Sequence, residues 1–432
     1  MGKSVKNRHV IRDICDGLVV LLNLSNPYTI IPIILFTPHI GVNSAIIAGI
    51  TLLYLIIRIG KNIQFSNDVL LWLFIVMNVY NILNCIREGV LGVGFVALFV
   101  SSTLFYILLY NLCIKRTNVN NSFEENLGIL SQGYSYLCYY SLLVVIVMLV
   151  LTEFMNFNPL VNDVTGTWDI LEDNSKRSDY FFPLHMSLLM AGEDMIRLPF
   201  FHTYGTITGI FHEPHTMTYY IVPFFFLMFG IINNRRLLLV MTITMVIYML
   251  VAASATNIMF FLLTLVIWLC LQYKVATPIF VVLVLVFLSY IQLVDNPIVG
   301  LVLNRLESGS MSYSTDVLSY AVSPKTLLGN NFYDLSYLEK STPTTDIGFI
   351  IFLLNILFVS ILFIRILKLC LAGGAFRYVG LFGLYFMLHS AKVALNAYSL
   401  EILMFVIFVV SYSLKAYKKK PETTNSVSNS ER

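Results

Sequence analysis

The sequence predicts an all-α membrane protein, a polytopic helical bundle of about twelve transmembrane helices. Of the 432 residues, 58% are hydrophobic and only 12% are charged, whereas soluble domains carry roughly 25% charged residues. The mean hydropathy is +0.80. The apolar residues also form blocks of about 20, the length at which a helix crosses the ~30 Å hydrocarbon core of a bilayer.

The apolar blocks fix where each helix is expected, within several residues at either end. They lie at 17–37, 40–57, 68–86, 90–114, 131–152, 214–232, 236–253, 255–273, 276–294, 347–367, 376–391 and 397–414. Pro27 and Pro32 interrupt the first block, and a polar break around Ser254 separates two others. Residues 1–416 are therefore expected to form one transmembrane domain, and 417–432 a disordered cytoplasmic tail.

The lysines and arginines predict the orientation, because short cytoplasmic loops collect positive charge. With the N-terminus inside, 19 of the 27 fall in cytoplasmic segments and 8 in outer segments. Every predicted cytoplasmic loop carries at least one. Both termini are therefore expected in the cytoplasm.

Two outer segments are long, near 153–213 and 295–346, and all other loops are short. Most of the acidic residues outside the helices crowd into these two segments. Because polar groups are expensive inside an apolar bundle, the long outer loops and the helix ends beside them are where chemistry is expected.

The remaining composition argues against several classes of site. The six cysteines are scattered singly without a CxxC spacing, which argues against a zinc site or a disulfide framework. No basic stripe lies outside the loop ends, so a nucleic-acid partner is not expected. No cofactor is predicted.

The first cluster of candidate residues lies where the first long loop returns to the membrane. It contains Arg197, His202, His212, Glu213 and His215. An arginine offers a planar fork of donors for phosphate oxygens, and histidine exchanges protons near neutrality. A metal site is not predicted because the histidines lack a firm third ligand. The alternative is an interfacial loop whose polar groups face water and headgroups.

The second cluster begins and ends the second long loop, at Arg305 and Asp346. Arg305 follows an apolar helix and is expected near the outer interface with access to water; a snorkelling arginine is the alternative. In the last helices, His389, Lys392 and Glu401 fall near the outer face. A structural pair between Lys392 and Glu401 is at least as good an interpretation as a functional site.

The order of these motifs resembles the O-antigen polymerase (Wzy-type) branch of the O-antigen ligase and polymerase superfamily. Arg197 precedes Gly209-Ile-Phe-His-Glu213-Pro214, a polar segment starts at Ser254, and Arg305 opens the second long loop. A Pro324…Leu-Leu-Gly329-Asn element and Asp346-x-Gly348 follow. The resemblance covers roughly 195–370 and implies a GT-C-like bundle in the bacterial inner membrane.

The resemblance implies an enzyme that joins lipid-linked oligosaccharide units on the periplasmic face. The donor is a growing glycan on undecaprenyl pyrophosphate, and the acceptor is a single repeat unit on a second such lipid. Arg197 and Arg305 are implied to bind the pyrophosphate. The base is expected among His212, Glu213 and His215, with Asp346 as a further catalytic candidate. The expected partners are these glycolipids, membrane lipids and a chain-length regulator.

Two other functions remain open. A ligase of the same superfamily passes the finished glycan to lipid A–core; a histidine usual near the position of Asp346 in ligases is missing here, which favours the polymerase. A lipid-linked oligosaccharide flippase or other transporter also has about twelve helices, but transporters tend to show internal repeats and polar midplane sites. This sequence shows neither clearly.

Overall fold

The structure is a computed structural model of the full chain. It describes residues 2–26, 29–36, 39–88, 93–155, 179–180, 188–191, 206–211, 214–252, 255–272, 349–389 and 400–419. Nearly all of these residues are helical. The helices are α1 Gly2–Ser25, α2 Ile30–Leu35, α3 Ile40–Ile59, α4 Val69–Glu88, α5 Val93–Arg116, α6 Phe123–Leu130, α7 Gln132–Leu149, α8 Pro214–Ile231, α9 Arg235–Ala252, α10 Ala255–Gln272, α11 Phe349–Leu371, α12 Ala375–His389 and α13 Leu400–Lys419.

Within the described residues, four helices are long and apolar enough to cross a membrane: Gly41–Asn62, Val93–Arg116, Leu353–Leu371 and Leu400–Lys419. The bent pair Phe123–Leu130 and Gln132–Val147, at 63°, adds a fifth if it forms one span. Helices also lie at the other predicted positions, except 276–294, which lies outside the described residues. The chain is thus a helical membrane protein, and the count of twelve spans stays a prediction.

The exposed faces support a lipid environment. On α3, Leu53 and Ile57 are one turn apart and are 58% and 73% exposed, while Asn43, Ser44 and Thr51 of the same helix are buried. In water this arrangement leaves a contiguous apolar patch exposed. In a bilayer, apolar residues face the acyl chains and polar residues face other helices.

Helix α13 is the centre of the bundle. Of its apolar span 78% is buried, compared with 28–39% for the other three long spans. It packs on α5, α11 and α12, while α3 packs along α5, α8 along α12, and α1 along α7. The last helix of the chain is therefore surrounded by helices from both halves.

Two features of the N-terminal third differ from the sequence prediction. The segment expected as one helix at 17–37 is two, α1 and α2, since a residue before proline avoids the helical conformation and Pro27 follows Asn26. Helix α6 was not predicted at all. Ser122 accepts a hydrogen bond from the Glu125 backbone N–H while the Glu125 carboxylate accepts one from the Ser122 N–H. This capping box fixes the start of α6.

A close backbone approach joins α3 to α5. A Cβ atom placed on Gly41 lies 2.6 Å from the Cα atom of Gly94, so only glycine fits there. Small residues are the usual means of close helix packing in a membrane.

A small antiparallel sheet departs from the all-helical expectation. Its strands are β1 Asp179–Tyr180, β2 Leu188–Ala191 and β3 Thr206–Gly209, in the order β1-β2-β3. Strand β3 contacts α7, α8 and α9. It therefore connects the first long loop to the helical bundle directly before α8.

Candidate functional site

Most of the residues predicted to act lie outside the described part of the chain. Arg197, His212, Glu213, Arg305 and Asp346 belong to this group. His215 lies in the first turn of α8. Whether Arg197 and Arg305 converge on one cavity therefore stays a prediction.

The structure does describe the segment that leads into α8. Gly209 ends β3 with a left-handed backbone, φ 60°, a conformation that favours glycine. A Cβ atom on Gly209 lies 3.0 Å from Val145 of α7. Ile210 and Phe211 follow and are fully buried. This turn of the Gly209-to-Pro214 motif is consequently packed into the bundle rather than held above it.

The turn also contacts the segment between α1 and α2. Phe211 forms an isolated β-bridge with Thr29, and its ring lies 5.0 Å from that of Tyr220 in α8. Helix α8 begins at Pro214, a residue favoured at the first helical position because its φ is already helical and its missing N–H is not needed.

A buried carboxylate lies at the same end of the bundle. Glu401, in the first turn of α13, has no exposed surface. The side-chain amide of Asn26 donates to Glu401 Oε1 at 3.1 Å and to Ser44 Oγ at 3.1 Å. One amide thus joins α13, α3 and the end of α1. A carboxylate inside an apolar bundle is costly unless it is hydrogen-bonded, and the N-terminus of a helix favours negative charge.

The polar contacts continue one turn deeper between α1 and α3. The Asn23 amide Nδ2 donates to Thr51 Oγ1 at 2.9 Å, and the Thr51 hydroxyl lies 3.2 Å from Asn23 Oδ1. Both side chains are fully buried. Together with Asn26, Ser44 and Glu401, these residues form what we call the Glu401 cluster.

A buried histidine ends α12. His389 Nε2 lies 3.5 Å from Thr218 Oγ1 of α8, and both residues are fully buried. Aromatic rings surround the imidazole, with centroids 5.1 Å away for Tyr219, 5.5 Å for Phe260 and 5.7 Å for Tyr385. The imidazole of His389 therefore lies beside Thr218, which is three residues along α8 from His215.

The Glu401 cluster and His389 lie at one end of the bundle, which we call the Glu401 end. It gathers the end of α1, the starts of α3, α8 and α13, and the end of α12. In the predicted orientation it faces the outer side, where the two long loops depart. Ionisable groups placed inside membrane segments are functional candidates by default.

The sequence pointed to Glu401 and His389 but not to their partners. The expected pairing of Glu401 with Lys392 is untested, because Lys392 lies outside the described residues. Asn26, which does bond to Glu401, is 375 positions away, and no local pattern connects the two. The sequence contained one indication of Asn26, which is a polar residue at the end of an apolar block.

The opposite end, which we call the basic end, contains two ion-pair networks. Asp16 of α1 is fully buried and lies 3.1 Å from Arg58 Nε and 3.5 Å from Arg116 Nε. Asp68, at the start of α4, accepts hydrogen bonds from Arg365 at 2.8 and 3.0 Å. In the predicted orientation these residues lie on the cytoplasmic side.

Within the described ranges, no group of three or more His, Cys, Asp or Glu side chains is placed to hold a metal ion. Neither protein-family models, nor curated proteins, nor solved structures match this chain.

Proposed function

We propose that this chain is a membrane-embedded glycosyltransferase that lengthens a lipid-linked glycan at the outer face of the bacterial inner membrane. The observation that carries the proposal is the buried polar surface at the Glu401 end. Glu401 and His389 are both fully buried there, and His389 lies 3.5 Å from Thr218 near the start of α8. Helix α8 begins at Pro214, in the Gly209-to-Pro214 motif of the resemblance. Ionisable groups buried inside membrane segments are functional candidates, and this end of the bundle holds two of them.

The reaction we propose is O-antigen polymerisation. The acceptor is a repeat unit on undecaprenyl pyrophosphate, and its hydroxyl oxygen attacks the anomeric carbon of the growing glycan. The bond from that carbon to the pyrophosphate oxygen breaks, and undecaprenyl pyrophosphate leaves with the electron pair. A base takes the hydroxyl proton. The sugar becomes oxocarbenium-like in the transition state.

Each candidate residue has a role in this scheme. Arg197 and Arg305 stabilise the negative charge that grows on the leaving pyrophosphate, as fixed cations do in phosphate-leaving reactions. Glu213, His212 or His215 removes the acceptor proton. Asp346 is a further candidate for the base, at the far end of the second loop.

Replacing either arginine tests the proposal. We expect Arg197→Ala and Arg305→Ala to abolish long glycan chains, while the single-unit glycolipid persists. The loss of one cation aimed at a developing charge lowers a rate by roughly 100- to 1,000-fold. The measurement is the length distribution of surface glycan on a gel, from a strain whose chromosomal copy is replaced by the variant.

Arg235→Ala is the matched control, because Arg235 is an exposed arginine at the start of α9, which the sequence predicts to lie on the cytoplasmic side. It should leave chain length normal, and membrane levels of all three variants should match the wild type. Normal chain length in both Arg197→Ala and Arg305→Ala contradicts the assignment of the pyrophosphate site.

The same glycolipids separate the two alternative functions. Deleting a polymerase leaves one repeat unit on lipid A–core, deleting a ligase leaves none, and deleting a flippase leaves the lipid-linked unit on the cytoplasmic side. We favour the polymerase because the histidine usual in ligases is missing near Asp346.

A further inference from the structure

Two adjacent cavities lie at the basic end, opposite the Glu401 end of the bundle. Their volumes are about 390 and 890 Å³, the range in which proteins bind small molecules. Both are lined by Ser411, Lys415 and Lys418 of α13, so the end of the central helix forms the wall between them. We call the pair the basic cleft.

The basic cleft carries a net positive charge. Lys368 and Arg365 also line the smaller cavity. Asp68 is the one acidic residue in the part of this lining that the structure describes, and it is paired with Arg365 at 2.8 Å. Among the described residues, the lining of the larger cavity contains Lys415, Lys418 and Lys419 and no aspartate or glutamate. The lysines are exposed, which leaves their ammonium groups accessible to an anion that enters from outside.

The walls of the cleft are apolar on the side that faces lipid. Val69 and Ile364 line the smaller cavity and are themselves 45% and 51% exposed. Leu357 and Leu371 extend this exposed surface along α11. A phosphate bound to the lysines therefore lies next to a surface suited to acyl chains, which favours a lipid over a free anion.

Aromatic residues line the larger cavity below its lysines: Tyr106, Tyr110, Phe123, Phe408 and Tyr412. Tyrosine is enriched where the headgroup region meets the hydrocarbon core. Basic pockets between transmembrane helices are a known way to hold anionic headgroups. The larger cavity therefore has the composition of a headgroup site.

We propose that the basic cleft binds an anionic membrane phospholipid. Its phosphate lies between Lys415 and Lys418, and an acyl chain follows Val69 and Ile364 along α11. The site is independent of the glycan chemistry proposed above, because it is built largely from residues of α4, α5, α6, α11 and α13 at the end of the bundle opposite the Glu401 end.

The test is lipid binding to the full-length protein purified in a neutral detergent, followed by native mass spectrometry during titration with phosphatidylglycerol or phosphatidylcholine. Phosphatidylglycerol should bind more tightly to the wild type. The double variant Lys415→Gln/Lys418→Gln should bind it about thirty-fold more weakly, since each basic residue near a lipid surface contributes roughly five-fold. Both lysines are exposed, so the variant should fold.

Arg235→Gln/Arg236→Gln is the matched control. It removes the same charge from two exposed residues at the start of α9 that do not line the cleft, and phosphatidylglycerol affinity should be unchanged. An equal loss in the control, or equal affinity of the wild type for the two lipids, overturns the proposal. So does displacement of the lipid by an equal concentration of inorganic phosphate, which identifies a site for free anions.

Discussion

Asp68 shows how a single residue connects three helices. Its carboxylate accepts from Arg365 of α11 at 2.8 and 3.0 Å and from the Tyr106 hydroxyl of α5 at 3.3 Å. Arg365 also donates to Ser411 of α13 at 2.7 Å. Asp68 is 4% exposed, so its charge depends on these donors rather than on water.

Removing one member of the Asp68–Arg365 pair should therefore lower the free energy of unfolding more than replacing both. Arg365→Ala leaves a buried carboxylate without its cation, which costs roughly 3 kcal/mol for pairs of this kind. The double variant Asp68→Leu/Arg365→Met should recover most of that loss, because neither charge remains to be desolvated. Thermal unfolding of the purified protein in detergent measures both.

Arg236→Ala serves as the reference, since Arg236 is exposed and should change stability by no more than about 0.5 kcal/mol. If the double variant is as unstable as Arg365→Ala, the ion pair is not the source of the loss.

At the scale of the element, the packing of α3 on α5 depends on Gly41, which has no side chain. Gly41→Ala places a Cβ 2.6 Å from the Cα atom of Gly94. Because the obstacle is backbone, the helices must move apart, and overpacking of this kind costs about 1–3 kcal/mol. Unfolding in detergent should show this loss.

The same helix contains its own control. Gly49 of α3 has no atom within 4 Å of an added Cβ, so Gly49→Ala should be neutral or should stabilise by up to about 1 kcal/mol through helix propensity. Equal effects at the two positions contradict a specific contact between α3 and α5.

The length and composition of an element decide whether it could be predicted from the sequence. Apolar blocks have the length of the bilayer, so α3, α5, α11 and α13 were predictable within a few residues. Helix α6 was missed because it is 8 residues long and too short for a span, although its capping box can be read from Ser122 and Glu125. Strand β3 and its contacts with the bundle depend on long-range pairing that no local pattern records.

The candidate site was predictable only in part for the same reason. Single ionisable residues in apolar segments, such as Glu401, stand out by composition. Their partners do not, since the amide that reaches Glu401 comes from Asn26, and which helices become neighbours is decided by packing. The lysines that line the basic cleft were recognised by sequence as signs of orientation, whereas the cavities beside them required the structure.

For the whole molecule, the central prediction is its orientation. The basic end, with Asp16, Arg58 and Arg116, should face the cytoplasm, and both termini should lie there, since positive loops are retained inside. Fluorescent-protein fusions at the C-terminus should fluoresce, and alkaline phosphatase fusions after residue 180 or 320 should be active. If alkaline phosphatase is active only when it is fused at the C-terminus, the predicted orientation is wrong, and so is the side of the membrane proposed for the reaction.

The hydrogen bond between Asn26 and Glu401 also has a consequence for biogenesis. Asn26 is synthesised before α3, whereas Glu401, one of its acceptors, is made 375 residues later. Until α13 is made, the bond to Glu401 cannot form, although the bond from Asn26 to Ser44 Oγ can. Insertion of α13 therefore supplies a buried acceptor that α1 lacks until then, and chains that stop before residue 400 should be degraded faster by membrane proteases than the full-length chain.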